Sequence, residues 1–157
     1  MTALAALLPE STNSRYRGSR GSANFLAIAA VLTIGPGAIH AFLPDGGAGT
    51  IAGLDLSRCG TVIVGVFAWA GATQMVHGVS MLAVALRYRT LVPLYLALGL
   101  VERMVMTLNW WVFKAAAAEG HRPPEVYATL VLLPVLVFFL VRSLAPASQR
   151  VLKTAAG

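Results

Sequence analysis

Charged residues are scarce in this chain. Only 11% of its 157 residues are Asp, Glu, Lys or Arg, whereas 57% are hydrophobic. A typical soluble domain has about 25% charged residues, and it needs them to cover its outer faces. The scarcity therefore argues against an ordinary soluble domain and predicts an all-α integral membrane protein.

Cysteine and metal-binding motifs are also lacking. Cys59 is the only cysteine, so the chain cannot form an internal disulfide. No zinc spacing, phosphate-binding loop or nucleophile elbow occurs, and we expect no metal site. His40 and His77 lie within apolar runs, but their estimated depths differ by about 16 Å, too far apart to share one cofactor. Haem binding between two protomers, with one His from each, is an alternative that the sequence leaves open. The sequence does not identify a cofactor.

Acidic residues are half as frequent as basic ones. The chain has 6 Asp and Glu against 12 Lys and Arg, which gives a net charge of +6. Such an excess can indicate nucleic-acid binding. Here, however, the basic residues lie at the ends of apolar runs instead of in one patch. We therefore interpret them as a membrane topology signal and expect no nucleic-acid partner.

Apolar runs are what the sequence has in abundance, and four of them are long enough to span a bilayer core, which takes about 20 helical residues. The predicted spans are residues 23–43, 60–86, 91–113 and 126–145. We predict an antiparallel four-helix bundle, with Gly35–Gly37 and Pro134 kinking or loosening the first and fourth spans. The link "RYRT" should make the second and third spans neighbours. Residues 1–22 would form a mobile basic arm and residues 146–157 a tail.

The basic residues outside the spans divide unevenly between the two sides. Eight lie on the side of the termini, namely Arg15, Arg17, Arg20, Arg87, Arg89, Arg142, Arg150 and Lys153, and three on the other, namely Arg58, Lys114 and Arg122. The positive-inside rule then places both termini in the cytoplasm. Trp110 and Trp111 would lie at the outer interface, where aromatic residues concentrate. We expect a multi-pass protein of a bacterial-type inner membrane.

Polar residues in three spans fall at matching depths, estimated at about 1.5 Å per residue. Glu102 and Arg103 lie at the centre of the third span, and Gln74 lies level with them on the second. His77 lies about 6 Å nearer the cytoplasm, and His40 about 10 Å outward of the centre. One stripe of the third span contains Tyr95, Gly99, Glu102, Met106 and Asn109. Asn109 is level with His40, so all six polar residues could face a shared interior.

Small residues recur on the first span at every fourth position. They are Ala29, Thr33, Gly37 and Ala41, and Gly71 and Gly78 flank Gln74 on the second span. Small residues at this spacing let helices approach closely in lipid. We predict that spans one to three pack around a polar interior and that span four buttresses them.

Ionisable residues inside a span indicate a functional site by default. Glu102 would be the acid–base or proton-carrying group: burial would favour its protonated form, and Arg103 its carboxylate. Arg103 would be its electrostatic partner, and His77 could relay protons or bind an anionic group. Gln74, Asn109 and His40 would line the ligand pocket. The predicted function is binding or conversion of a small lipophilic molecule from the bilayer, as in a membrane-embedded isomerase or oxidoreductase component.

A non-catalytic role is the alternative. Glu102 and Arg103 lie about 100° apart around a helix, so they should not face each other as residues four apart do. Each could instead bond to a neighbouring helix, to another protomer of a homo-oligomer, or to a partner in a larger complex. The chain would then be an accessory subunit of a membrane complex, which could be a redox complex, with the small-residue stripe as its docking face. The direction in which Glu102 points distinguishes the two readings.

Three segments resemble the DoxX-like group of small four-helix bacterial membrane proteins. They are "HAFLPD" at the end of the first span, "GLDLS" after a Gly-rich loop, and "WAGATQMVHG" in the second span. The resemblance covers about residues 25–140. It implies a redox-associated membrane component, sometimes paired with a quinone-linked enzyme. It implies no site residue.

Overall fold

The computed structural model describes residues 7–114, 122 and 124–145. All regular secondary structure within these residues is helical, which confirms the all-α prediction. The four long helices are α1 (Arg20–Phe42), α2 (Gly60–Arg87), α3 (Val92–Leu108) and α4 (Pro124–Leu144). A π-helical turn, Asn109–Phe113, extends α3. With the flanking turns of α3 included, all four are long and apolar enough to cross a membrane.

The helices begin and end close to the predicted bounds. α1 begins at Arg20, earlier than predicted, because the Ser19 hydroxyl accepts a hydrogen bond from the Gly21 N–H at 3.2 Å and caps the helix. Both α1 and α4 continue through an internal proline, Pro36 and Pro134 respectively. Neither proline ends its helix, and the kinks predicted there stay a prediction.

α1 and α2 pack closely through glycine. A methyl group added at Gly37 would lie 3.0 Å from the Gly71 carbonyl oxygen, and one added at Gly78 would lie 3.0 Å from the Ala30 carbonyl oxygen. Only residues without a Cβ allow the two backbones to come this near. The prediction that small residues bring these spans together is confirmed. Gly37 is thereby buried against α2 of the same chain.

The helices associate mainly as two pairs, α1 with α2 and α3 with α4. A methyl group at Gly99 of α3 would lie in ordinary contact with Leu136 of α4, at 3.7 Å from Cδ2. By contrast, α2 and α3 contact each other little, although only a short link with the 3-10 turn Arg89–Leu91 joins them. The prediction that spans one to three pack together around the interior, with span four only as a buttress, is therefore wrong, because α3 packs chiefly with α4. A short link brings the helix ends together but does not fix the rest of their lengths.

The hydrophobic core lies at one end of the molecule. This termini end is where α1 and α3 begin and α2 and α4 end; we call the opposite end the loop end. The core residues here come from all four helices and are Ala23, Leu26, Val84, Ala85, Val92, Leu96 and Leu136. The two helix pairs are thus held together near the termini end.

Residues 9–19, here called the strap, are bound to the termini end. The Ser11 hydroxyl and the Thr12 N–H both donate to the Arg87 carbonyl, at 2.9 and 3.0 Å. The Asn13 amide donates to the Leu86 carbonyl at 2.7 Å. These carbonyls lie in the last turn of α2, where no helical N–H is available to them. The expectation of a mobile arm is therefore wrong for the strap, while residues 1–6 lie outside the described residues.

The strap also reaches α4. The Ser19 N–H donates to the Arg142 carbonyl at 3.2 Å, and the nearby Ser22 hydroxyl donates to the Phe139 carbonyl at 2.8 Å. Gly18 is in close contact with the Ser143 carbonyl, and a side chain there would collide with it. The strap therefore ties together the ends of helices from both pairs.

Candidate functional site

A cavity of about 630 Å³ lies between the two helix pairs. Its volume falls within the range of about 300–1,000 Å³ that is usual for small-molecule sites. Every long helix contributes to its wall. The polar lining residues are Thr33, His40, Thr73, Gln74, His77, Glu102, Arg103 and Glu125, and the apolar ones are Ala70, Leu98 and Met106.

The cavity brings together five of the six predicted site residues: His40, Gln74, His77, Glu102 and Arg103. Asn109 is not among the lining residues. Its side-chain amide instead donates to the Val105 carbonyl of its own helix at 2.9 Å. This local bond holds the amide against the helix backbone at the start of the π-helical turn.

Glu102 and Arg103 are in direct contact. The Arg103 Nη2 lies 3.3 Å from the Glu102 Oε1, and the side chains are 24% exposed for Arg103 and 47% exposed for Glu102. The expectation that neighbouring residues on a helix would not pair was wrong, because both side chains are long enough to bend towards each other. A carboxylate can accept about four hydrogen bonds. Glu102 receives one from the described residues, so it keeps acceptor capacity for a ligand.

Gln74 and His77 add hydrogen-bonding groups from α2. The His77 ring stacks on Tyr95 of α3, with centroids 6.3 Å apart and planes at 17°. Neither its ring nitrogens nor the Gln74 amide forms a hydrogen bond within the described part of the chain. Both side chains therefore line the cavity with donors and acceptors that a bound molecule can use.

His40 is fixed at the loop end of the cavity. Its Nδ1 lies 2.7 Å from the Gly46 carbonyl oxygen, and its ring meets Phe67 edge to face at 5.1 Å. Because a carbonyl only accepts, Nδ1 must carry the proton. In a neutral ring Nε2 is then the acceptor. His40 thus couples the cavity to the Gly-rich loop.

Asp45 organises that loop. Its carboxylate accepts hydrogen bonds from the backbone N–H groups of Gly47, Gly49 and Thr50, at 2.9, 3.2 and 2.8 Å. Gly46 and Gly47 adopt φ values of 62° and 74°, which glycine tolerates without strain. The N–H donors, that of Thr50 first and that of Gly47 next, hold the pKa of Asp45 below its usual 3.8.

Acidification should loosen the loop around Asp45. Because the pKa of Asp45 is lower in the folded loop than in an unfolded one, its bonds stabilise the loop above pH 3.8 and are lost as the pH falls through the folded value. Asp45→Ala should remove the same bonds at neutral pH. We expect hydrogen exchange at the Gly47 and Thr50 amides to accelerate by about tenfold, the equivalent of one lost hydrogen bond to a charged group.

Asp55→Ala is the matched control for this prediction. Asp55 accepts a hydrogen bond from Ser57 further along the same loop, at 2.9 Å, and none from the residues around Asp45. Its loss should leave exchange at Gly47 and Thr50 unchanged. Equal acceleration in both variants would contradict the role given to Asp45.

Glu125, Thr33 and Thr73 line the cavity without having been predicted as site residues. Glu125 belongs to the first turn of α4, where a carboxylate interacts favourably with the helix dipole. The sequence "RPPEV" signals such a helix start, and this signal could have placed Glu125 at the loop end, level with His40. The threonine hydroxyls donate to carbonyls of their own helices, at 2.8 Å each. Thr33 was predicted only as part of the small-residue stripe of the first span, and neither threonine was expected to line a site.

Metal ligands are not clustered in the described part of the chain. Residues 7–114, 122 and 124–145 contain no group of three or more His, Cys, Asp or Glu side chains that could hold a metal ion. Comparison with known proteins gave no match to a family model, to a curated protein or to a solved structure. The resemblance to the DoxX-like group thus stays a prediction, and the cavity is the feature of the molecule that indicates a function.

Proposed function

We propose that this chain binds a small lipophilic molecule in a membrane-embedded cavity and exchanges a proton with it through Glu102. The observation that carries the proposal is the meeting of Glu102, Arg103, Gln74 and His77 in one cavity of about 630 Å³. These residues come from helices that are long and apolar enough to cross a membrane. Groups of this kind are costly in a bilayer and persist where they serve a site.

The orientation in the membrane is part of the proposal. The four helices form an antiparallel bundle with both termini in the cytoplasm of a bacterial-type inner membrane. The excess of arginine at the termini end supports this orientation. At the loop end, the rings of Trp111 and Tyr127 meet edge to face, with their centroids 6.1 Å apart. The Arg122 guanidinium lies 4.5 Å from the Trp111 ring centroid. Such amphipathic aromatic clusters are typical of a membrane–water interface.

The ligand enters from the bilayer in this proposal. The side chains at mid-helix height are partly exposed: Glu102 is 47% exposed and Leu98 51% exposed. The helix centres lie at the depth of the lipid tails, so a molecule reaching Glu102 at this height passes through hydrocarbon. The apolar lining by Ala70, Leu98 and Met106 suits a largely hydrophobic body with a polar group at one end.

Four polar residues of the cavity have roles in the proposed proton exchange. Glu102 accepts or donates the proton, and Arg103 stabilises the carboxylate and any negative charge that develops on the ligand. His77 and Gln74 orient the polar group of the ligand from α2. An isomerase that moves a proton, or an oxidoreductase component that protonates a reduced ligand, fits this arrangement.

Retention of a ligand by the purified protein tests the proposal. We expect native mass spectrometry of protein extracted in mild detergent to show a bound lipophilic molecule, and the ultraviolet–visible spectrum of the same sample to report any chromophore. A ligand-free protein that carries a second polypeptide would contradict the proposal and favour the accessory-subunit role. A ligand-free homo-oligomer would also contradict it.

A further inference from the structure

The strap holds arginines at the end of α2 in a fixed arrangement. The Pro9 carbonyl accepts hydrogen bonds from the Arg87 Nε at 3.2 Å and from the Tyr88 hydroxyl at 3.1 Å. The Arg89 Nε donates to the Ala85 carbonyl at 3.0 Å, and its backbone N–H donates to the Asn13 side chain at 3.3 Å. Both guanidinium groups are thus anchored through Nε.

The outer nitrogens of these arginines donate no hydrogen bond to the described residues, and the Arg87 guanidinium lies 5.9 Å from the centroid of the Tyr88 ring. Neither Arg87 nor Arg89 forms an ion pair with the described residues, and neither donates a further side-chain hydrogen bond. The 3-10 turn Asn13–Arg15 lies against the turn Arg89–Leu91, which adds the exposed Arg15 as a third guanidinium without an ion pair among the described residues. Glu10 is the only acidic residue of the strap, and it forms no ion pair with the described residues.

We propose that Arg15, Arg87 and Arg89 form a binding site for the phosphodiester headgroup of an anionic phospholipid. A guanidinium fork matches the geometry of phosphate oxygens, and anchoring through Nε leaves the two Nη groups to make that contact. Arg87 is the last residue of α2, and Arg89 lies in the turn that precedes α3. These positions at the ends of membrane-crossing helices are at the depth of the lipid headgroups. The strap orients Arg87 through the Pro9 carbonyl, and the Ala85 carbonyl of α2 orients Arg89, whose backbone the strap also binds through Asn13.

This site is separate from the cavity. It lies at the termini end, whereas Glu102 lies at the middle of α3, and no residue is common to both. It requires only that the helices cross a membrane. Either proposal can therefore fail without the other.

Lipid titration followed by native mass spectrometry tests the site. The full chain in detergent is titrated with phosphatidylglycerol and, separately, with phosphatidylcholine of the same acyl chains. We expect phosphatidylglycerol to bind at least tenfold more tightly. Each arginine near a headgroup contributes about fivefold, so Arg87→Gln with Arg89→Gln should weaken phosphatidylglycerol binding by roughly 30-fold. Phosphatidylcholine binding should weaken much less, because the choline ammonium offsets the charge of its phosphate.

Arg58→Gln is the matched control, because it removes the same charge from an exposed residue at the loop end. It should change neither affinity. Equal affinity of the wild-type chain for both lipids, or equal losses in Arg58→Gln and the double variant, would overturn the proposal. Displacement of phosphatidylglycerol by millimolar inorganic phosphate would assign the site to a soluble anion and would also overturn it.

Arg15→Gln keeps the test decisive if the double variant does not fold. The Arg15 side chain is exposed and makes no hydrogen bond to the described residues, so its loss leaves the strap contacts in place. We expect about fivefold weaker phosphatidylglycerol binding from this single change. An unchanged affinity in a folded Arg15→Gln protein would contradict the site.

Discussion

Glu102→Gln is expected to weaken the retention of the lipophilic ligand strongly while leaving helical content and oligomeric state unchanged. Glutamine has nearly the same shape, but it carries no charge and cannot exchange the proton. A hydrogen bond to a charged group is worth about 1.5–3 kcal/mol, which corresponds to roughly 10- to 100-fold in affinity. Native mass spectrometry of wild-type and variant protein, purified in parallel, measures the loss.

Glu10→Gln is the control for this result, because it makes the same change on the exposed strap, away from the cavity. Its ligand retention should equal that of the wild type. If Glu102→Gln retains the ligand fully, the carboxylate does not bind it. If the variant instead loses folded protein, the result favours a structural role for Glu102 through its contact with Arg103.

Gly71→Ala is expected to lower the free energy of unfolding by about 1–3 kcal/mol, the usual cost of overpacking a well-packed contact. The added methyl group would lie 2.6 Å from the Gly37 carbonyl oxygen and 2.7 Å from the Ala41 backbone nitrogen. Both are backbone atoms, so α1 and α2 must move apart. The methyl group would also lie 2.7 Å from the His40 Cβ. We therefore expect weaker ligand retention together with the lower stability.

Gly65→Ala provides a matched comparison on the same helix. A methyl group at Gly65 would have no atom within 4 Å, and alanine is the better helix former by up to about 1 kcal/mol. Its stability should equal or slightly exceed that of the wild type. Unfolding of the three proteins in increasing denaturant, followed by circular dichroism, checks the ranking. Equal stability of Gly71→Ala and Gly65→Ala would mean that α1 and α2 do not pack through Gly71.

The long helices were predictable because each depends on a local property of the sequence. An apolar run of sufficient length forms a helix wherever it packs, so the bounds of α2 could be predicted almost residue by residue. The start of α1 could not, because the Ser19 cap sits among polar residues that have no apolar periodicity. The strap was missed for a similar reason. Its hydrogen bonds join Asn13 to Leu86 and Arg89, more than 70 positions away, and polar arms carry no sequence signal for such pairings.

Helix pairing was predictable only in part. The small residues on the first two spans correctly indicated their close packing, since contacts such as Gly37 on Gly71 leave no room for a side chain. The short link between α2 and α3 was misleading, because a link constrains only the helix ends. Along the rest of their lengths, residues from both helices line the cavity.

Most of the polar residues that line the cavity could be predicted from their estimated depth along each helix. Helices that cross the same distance place residues with equal rise at equal height, which put Gln74 level with Glu102. Height does not determine what a side chain bonds to, however. Asn109 is held by a carbonyl of its own helix. Glu125 was missed because it lies just before the predicted span 126–145, whereas the structure places it in the first turn of α4.

The central claim is that Glu102 carries an exchangeable proton in a cavity that the bilayer can reach. Its most direct test is labelling with dicyclohexylcarbodiimide, which dissolves in the membrane and reacts with protonated carboxyl groups. Peptide mass spectrometry identifies the residue that is modified. We predict modification at Glu102 that is absent from the Glu102→Gln variant and reduced when the cavity holds its ligand. An unmodified Glu102, in a protein whose other carboxyl groups react, would contradict the claim.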